Sequence, residues 1–225
     1  MSTQQIPIEV LPNDTSVALR AAEIVVEHAH AAIAARRMFT LAVSGGHTPA
    51  QMFAELAQRN DFPWGQSAIY QVDERIAPDG DPNRNLTLLW DNLPEAAFSQ
   101  LHPMPVQAND LTDAARRYAG VLPQQFDLIH LGIGVDGHTA SLVPGDPVLD
   151  VLDRDVALTG PYMGLARMTF TYPVLDRARA LLWLVTGKDK REALSRLRAS
   201  DTSIPAGRVS RDRALIIADK ASCDS

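Results

Sequence analysis

Asp136 and His138 lie two positions apart in the run Gly132-Ile133-Gly134-Val135-Asp136-Gly137-His138-Thr139. An imidazole can move protons near neutral pH, and a neighbouring carboxylate can fix its tautomer. The interspersed glycines let the backbone turn sharply and approach a bound molecule closely. The apolar stretch Phe126 to Leu131 precedes them and suits a buried parallel strand. The C-terminal end of such a strand is where open α/β sheets bind ligands. The same letters match the dinucleotide fingerprint Gly-x-Gly-x-x-Gly, which requires a helix after its last glycine. Pro144, Gly145 and Pro147 interrupt the chain there, so the dinucleotide reading is set aside. The plainer alternative is a strand-to-loop turn carrying a surface histidine.

Other strand ends carry polar residues of the same kind. Ser44-Gly45-Gly46-His47-Thr48-Pro49 follows the strand-like run Phe39–Val43, and a helix is expected from Pro49 to about Gln58 with Thr48 as its cap. Free N–H groups at such a helix start bind anions. Asp73-Glu74-Arg75 follows the expected strand Ala68–Val72, and in isolation it reads equally as a solvated loop. Thr186-Gly187-Lys188-Asp189-Lys190 follows the buried run Ala180–Val185 and opens a helix. Lysines at a helix start oppose its dipole, and their presence makes sense where one serves an anion.

The elements that must position these groups alternate along the chain. A short extended lead-in over residues 1–12 includes a strand at Ile8–Leu11. A long Ala-rich helix runs from Val17 to Arg37, with Asp14, Thr15 and Ser16 as candidate caps. Helices are expected around Leu86–Trp90 and after Asp110, and strands at Leu101–Val106, Val156–Leu158, Met168–Tyr172 and Arg213–Ala218. Residues 144–166 are otherwise loop-rich, Ile204 to Gly207 reads as a loop, and the tail is polar. Strands alternating with helices predict an α/β fold: a three-layer, doubly wound, mostly parallel Rossmann-like sheet with helices on both faces. One domain over residues 1–225 is expected. The polar loops then gather on one edge.

Composition narrows the function. The chain is 46% hydrophobic and 21% charged, enough for a full core, and its net charge of −6 argues against a nucleic-acid binder. The sole cysteine, Cys223, excludes an intrachain disulfide and a cysteine-rich metal site and fits a reducing compartment. Neither a signal-peptide pattern nor an apolar stretch long enough to cross a membrane is visible, so a cytoplasmic protein without membrane partners is expected. For assembly, a monomer or weak homo-oligomer is expected.

The segments around Ser44–Pro49, Asp73-Glu74-Arg75-Ile76-Ala77-Pro78, Gly132–Leu142 and Thr186–Lys190 resemble, in order and spacing, the 6-phosphogluconolactonase family, which shares a superfamily with glucosamine-6-phosphate deaminase. The resemblance implies hydrolysis of a sugar-phosphate lactone without metal or organic cofactor. It implies His138 as general base and Asp136 as its partner. It implies a substrate- and phosphate-binding set of Ser44, Gly45, Gly46, Thr48, Asp73, Arg75, Gly134, Gly137, Arg167 and Lys190. Arg167 is a candidate for either phosphate or oxyanion. His47, Arg84 and Val143 depart from common family residues. Related deaminases carry a carboxylate at the Val143 position for proton relay, which valine cannot perform. A non-catalytic sugar-phosphate sensor is the other competing reading, disfavoured by the presence of both Asp136 and His138.

Overall fold

The computed structural model describes residues 5–223, so residues 1–4 of the lead-in and 224–225 of the tail lie outside it. In chain order the elements are β1 (Ile8–Leu11), α1 (Asp14–Arg36), β2 (Phe39–Val43), α2 (His47–Ala57), β3 (Ser67–Gln71), β4 (Asp73–Arg75), α3 (Asn85–Asn92), α4 (Glu95–Phe98) and β5 (Leu101–His102). They continue with α5 (Leu111–Val121), β6 (Leu128–Leu131), β7 (Val156–Leu158), β8 (Arg167–Phe170), α6 (Tyr172–Asp176), β9 (Leu181–Val185), α7 (Arg191–Arg198), α8 (Pro205–Arg208), β10 (Ala214–Asp219) and α9 (Lys220–Cys223). No helix among the described residues is long and apolar enough to cross a membrane.

Seven strands form a parallel sheet in the order β1-β10-β9-β6-β2-β3-β5. Its strands are apolar on both sides, and successive residues feed opposite layers. Leu41, Leu182 and Ile217 pack with Val17, Val25, Met52 and Phe53 of α1 and α2. Their neighbours Ala42, Trp183 and Ile216 pack on the other face with Ala115 and Tyr118 of α5 and Leu194 of α7. That second face also receives a three-stranded antiparallel sheet, β4-β8-β7, whose Met168, Phe170 and Val156 enter the same core.

Several local expectations are corrected. Asp73-Glu74-Arg75 is not a loop: the chain leaves β3, pairs immediately with β8, and so leaves the parallel sheet. The strand expected over Leu101–Val106 shortens to two residues. Asn13, not Asp14, Thr15 or Ser16, caps α1, its side chain accepting from the Ser16 N–H at 2.9 Å. Residues Pro205–Arg208 form a short helix rather than a loop, with Pro205 at a position that tolerates a missing N–H. Lys188–Lys190 make a single 3₁₀ turn before α7.

Candidate active site

From β2 the chain moves outward to β3 and β5, whereas from β6 it moves the other way to β9 and β10. The crevice between the carboxyl ends of β2 and β6 is therefore the topological switch point of the sheet. A cleft of about 210 Å³ opens there, lined by Ser44, Gly45 and Gly46 after β2 and by Gly132, Ile133, Gly134, His138 and Ala140 after β6. Asp73, Arg75, Asn85, Arg167 and Lys190 complete its wall. A second recess of about 470 Å³ shares Gly45, Gly46, Gly132, Ile133 and Lys190 with it and extends to Thr48, Thr186 and Asp219.

The loop after β6 holds its histidine by its own backbone. The Gly134 N–H donates to the His138 carbonyl at 2.8 Å, and the Gly137 N–H to the Gly134 carbonyl at 3.0 Å. A Cβ on Gly134 would collide with the His138 ring and the Asp136 carboxylate. Gly137 adopts φ +82°, and a Cβ there would meet Ile204 Cβ at 2.5 Å, so it shapes the turn without lining the cleft. Within this loop Asp136 Oδ1 lies 2.6 Å from His138 Nδ1 and also accepts the His138 backbone N–H at 3.2 Å. Burial alone would raise the Asp136 pKa, but these bonds and one from Tyr162 outweigh it and hold the carboxyl below its ordinary range. An ionised Asp136 fixes the proton on Nδ1, leaving Nε2 free to accept one.

The opposite wall is cationic. Arg75 and Arg167 face each other across the β4–β8 pair. Arg75 Nη1 donates to Asn83 O at 3.0 Å and to Asn85 Oδ1. Arg167 is buried, its bonds to Ser141 Oγ and Tyr162 O are long at 3.4 and 3.5 Å, and its Nε has no partner among the described residues. Burial first, then the Arg75 charge, lowers its pKa below the ordinary guanidinium value. Its donors are thus loosely engaged at the cleft wall. The Asp73 carboxylate is already satisfied, by Ser141 Oγ at 2.6 Å and Asn85 Nδ2 at 3.1 Å.

Lys190 lies at the junction of the two recesses, within 3.5 Å of Asp189. Thr48 is not the cap of α2. Gly46 precedes the first helical residue, no side chain caps the helix, and Thr48 Oγ1 pairs with Thr186 Oγ1 at 2.6 Å. The helix start therefore keeps free N–H groups at the cleft, as an anion site requires. Ser44 is anchored by fully buried His130: its N–H donates to His130 Nδ1 at 3.3 Å and its Oγ to His130 O at 3.2 Å. His47 is exposed, close to Gln51 and Asp14, and Val143 is buried.

Three participants were not assigned to the site from the sequence. Glu74, wholly buried, accepts from Gln71 Nε2 and the N–H groups of Arg75, Asn85 and Leu86, and pairs with Arg84 Nε at 3.0 Å. Asn85 bridges Asp73 and Arg75. Tyr162, in the loop-rich segment, donates to Asp136 Oδ2 at 3.1 Å. A charge beside charges hinted at Glu74; no local pattern marks Tyr162.

A doubly wound sheet with its polar loops converging at the switch point defines an α/β protein of the ligand-binding kind. The chain belongs to the glucosamine-6-phosphate isomerase/6-phosphogluconolactonase family, whose model matches residues 12–217. It is 37% identical over 208 residues to a 6-phosphogluconolactonase of Synechocystis sp., covering 86% of this chain and 85% of that relative. Its fold is similar to that of a 6-phosphogluconolactonase from Shewanella baltica, with TM-score 0.85 and 21% identity over 96% of this chain and 100% of that one. It is similar too to a monomeric glucosamine-6-phosphate deaminase, with TM-score 0.83 and 18% identity over 96% of this chain and 98% of that one. One scaffold thus accommodates both named activities, and side chains must decide between them.

Proposed function

We propose that this chain is a 6-phosphogluconolactonase, hydrolysing 6-phospho-D-glucono-1,5-lactone to 6-phosphogluconate. The observation that carries the reading is the Asp136–His138 contact of 2.6 Å facing a cationic wall across the cleft. In this mechanism His138 Nε2 takes a proton from water as its oxygen bonds to C1. The tetrahedral oxyanion then collapses, the C1–O5 bond breaks, and the imidazolium returns the proton to the ring oxygen. Asp136 stays ionised and stabilises the imidazolium. A positioned base of this kind contributes about 10²–10⁴-fold.

The phosphate end is assigned to Gly45, Gly46 and the α2 start, with Thr48, Arg75 and Lys190 assisting. Arg167, with its loosely engaged donors, serves either the phosphate or the oxyanion. Ser44 and Gly134 shape the cleft, Gly137 sets the His138 turn, and Asp73 orients Asn85 and Ser141 at its edge. Holding the phosphate remotely converts binding energy into orientation at C1. The chain would act as one unit in the cytoplasm on a freely diffusing substrate.

The deaminase reading lacks its proton relay, because Val143 occupies that position and is buried. The test compares freshly generated lactone with glucosamine 6-phosphate. Hydrolysis well above the spontaneous rate is expected; ammonia release without lactone hydrolysis would reverse the assignment.

A further inference from the structure

Tyr162 belongs to no segment that carries the family resemblance, yet its side chain completes the hydrogen bonding of the Asp136–His138 pair. Oδ1 of Asp136 is taken by His138, through both ring and backbone. Among the described residues, the partner of Oδ2 is the Tyr162 hydroxyl, at 3.1 Å. That hydroxyl is also 3.4 Å from His138 Nδ1, and the two rings meet edge to face with centroids 5.2 Å apart.

The backbone holding Tyr162 is built for accuracy. Residues Tyr162 to Leu165 form a tight turn closed by Tyr162 N–H to Leu165 O at 3.0 Å and Leu165 N–H to Tyr162 O at 3.3 Å. Its central residues, Met163 at φ 52° and Gly164 at φ 84°, are both left-handed, as a two-residue turn of mirror-image type demands. Methionine tolerates that region poorly, and the two cross-turn hydrogen bonds hold it there. On the other side, the Arg167 guanidinium lies 5.0 Å from the Tyr162 ring centroid, a cation–π contact. Burial first, then Asp136, raises the phenol pKa, so the hydroxyl keeps its proton and acts as a donor.

We propose that Tyr162 is a positioning residue for the general base: by holding Asp136 Oδ2 it stops the carboxylate rotating, so that Oδ1 stays on His138 Nδ1 and Nε2 stays aimed at the attacking water. The inference rests on the lactonase reading for its kinetic consequence and on geometry alone for the hydrogen bond. It also couples the two walls of the cleft, because one ring touches both the base and a buried cation.

The decisive variant is Tyr162→Phe, which keeps the ring against Arg167 and His138 and removes only the hydroxyl. The expected result is kcat on the lactone about tenfold lower, about 1.4 kcal/mol, with KM changed less than about twofold. In the same variant the His138 Nδ1 proton resonance, followed by NMR in ¹⁵N-histidine protein, should move or broaden as its bond to Asp136 loosens. Tyr162→Leu, which also deletes the ring, should additionally raise KM through Arg167. A purely packing role predicts full rescue by phenylalanine, and Tyr162→Phe at wild-type kcat with an unmoved resonance overturns the proposal. Should the wild type prove inactive on the lactone, the lactonase reading falls, and the resonance still decides whether Tyr162 holds the pair.

Discussion

Two regions of different construction meet at the cleft. In the first, formed by the loops after β2 and β6, the β6 loop is held by backbone: Gly134 bonds His138, Gly137 bonds Gly134, and the Ala206 N–H donates to Gly137 O at 2.9 Å. The His138 side chain projects from a scaffold that does not depend on it. The antiparallel β4–β8 pair differs, because polar side chains tie it to the segment that follows. Glu74 gathers three backbone N–H groups, from β4 and the start of α3, and a buried guanidinium, while Asn85 ties Asp73 to Arg75. The Asp136–His138 pair thus sits on a backbone that does not rely on its side chains, whereas Arg75 and Arg84 are tied into a side-chain network.

The largest effects should separate the two regions. His138→Ala should lower kcat about 10²–10⁴-fold with little change in KM or melting temperature, read by steady-state kinetics and a thermal melt. Wild-type turnover would mean that the loop after β6 does not carry the base. Glu74→Ala should instead unfold the region, because it leaves Arg84 Nε and the N–H groups of Arg75, Asn85 and Leu86 buried without their acceptor, at a cost of about 3–5 kcal/mol. Urea denaturation measures this, and a loss below about 1 kcal/mol would show that β4 stands without its carboxylate.

A middle-sized effect joins the regions. Arg75→Ala should raise KM about ten- to hundredfold, as expected for a lost charged hydrogen bond, while kcat falls less. Lys190→Ala, removing a more flexible ammonium, should raise KM by less. A fall in kcat alone for Arg75→Ala would move that residue from the phosphate to the reacting carbonyl.

The same contrast explains what was legible in the sequence. The parallel strands announce themselves as apolar runs, and the glycine-framed loops after them follow by rule, so Gly45, Gly46 and His138 could be placed at the cleft, with Asp136 beside His138. Asp73-Glu74-Arg75 was noticed but misplaced, because three charged residues read as solvent-exposed until a partner strand ninety-odd residues later pairs with them, and Asp73 and Glu74 are buried. Thr48 looked like a cap because helix starts favour its type, yet a tertiary partner, Thr186, claimed the hydroxyl. Tyr162 was invisible because its role depends on a turn whose left-handed residues include a methionine. What sequence withholds here is long-range pairing, not local propensity.

The smallest predicted effect tests whether the backbone-held region also rests on a buried side chain. His130 lies beneath the Ser44 loop, wholly buried, with Nδ1 accepting the Ser44 N–H. Burial pushes its pKa down to about 3, whereas the unfolded chain takes up that proton near 6.5. The depressed value means that His130 costs no stability above pH 6.5 and that stability drains away as pH falls from there toward 3. The loss should approach about 1.4 kcal/mol for each pH unit. His130→Gln can still offer an acceptor to Ser44 and has no proton to gain. The stability difference between wild type and this variant, from urea melts at pH 7, 6 and 5, should therefore shrink or invert on acidification. A constant difference would mean that the folded protein accepts the proton, which requires the Ser44 loop to open; the backbone-held half of the site would then be the more yielding of the two.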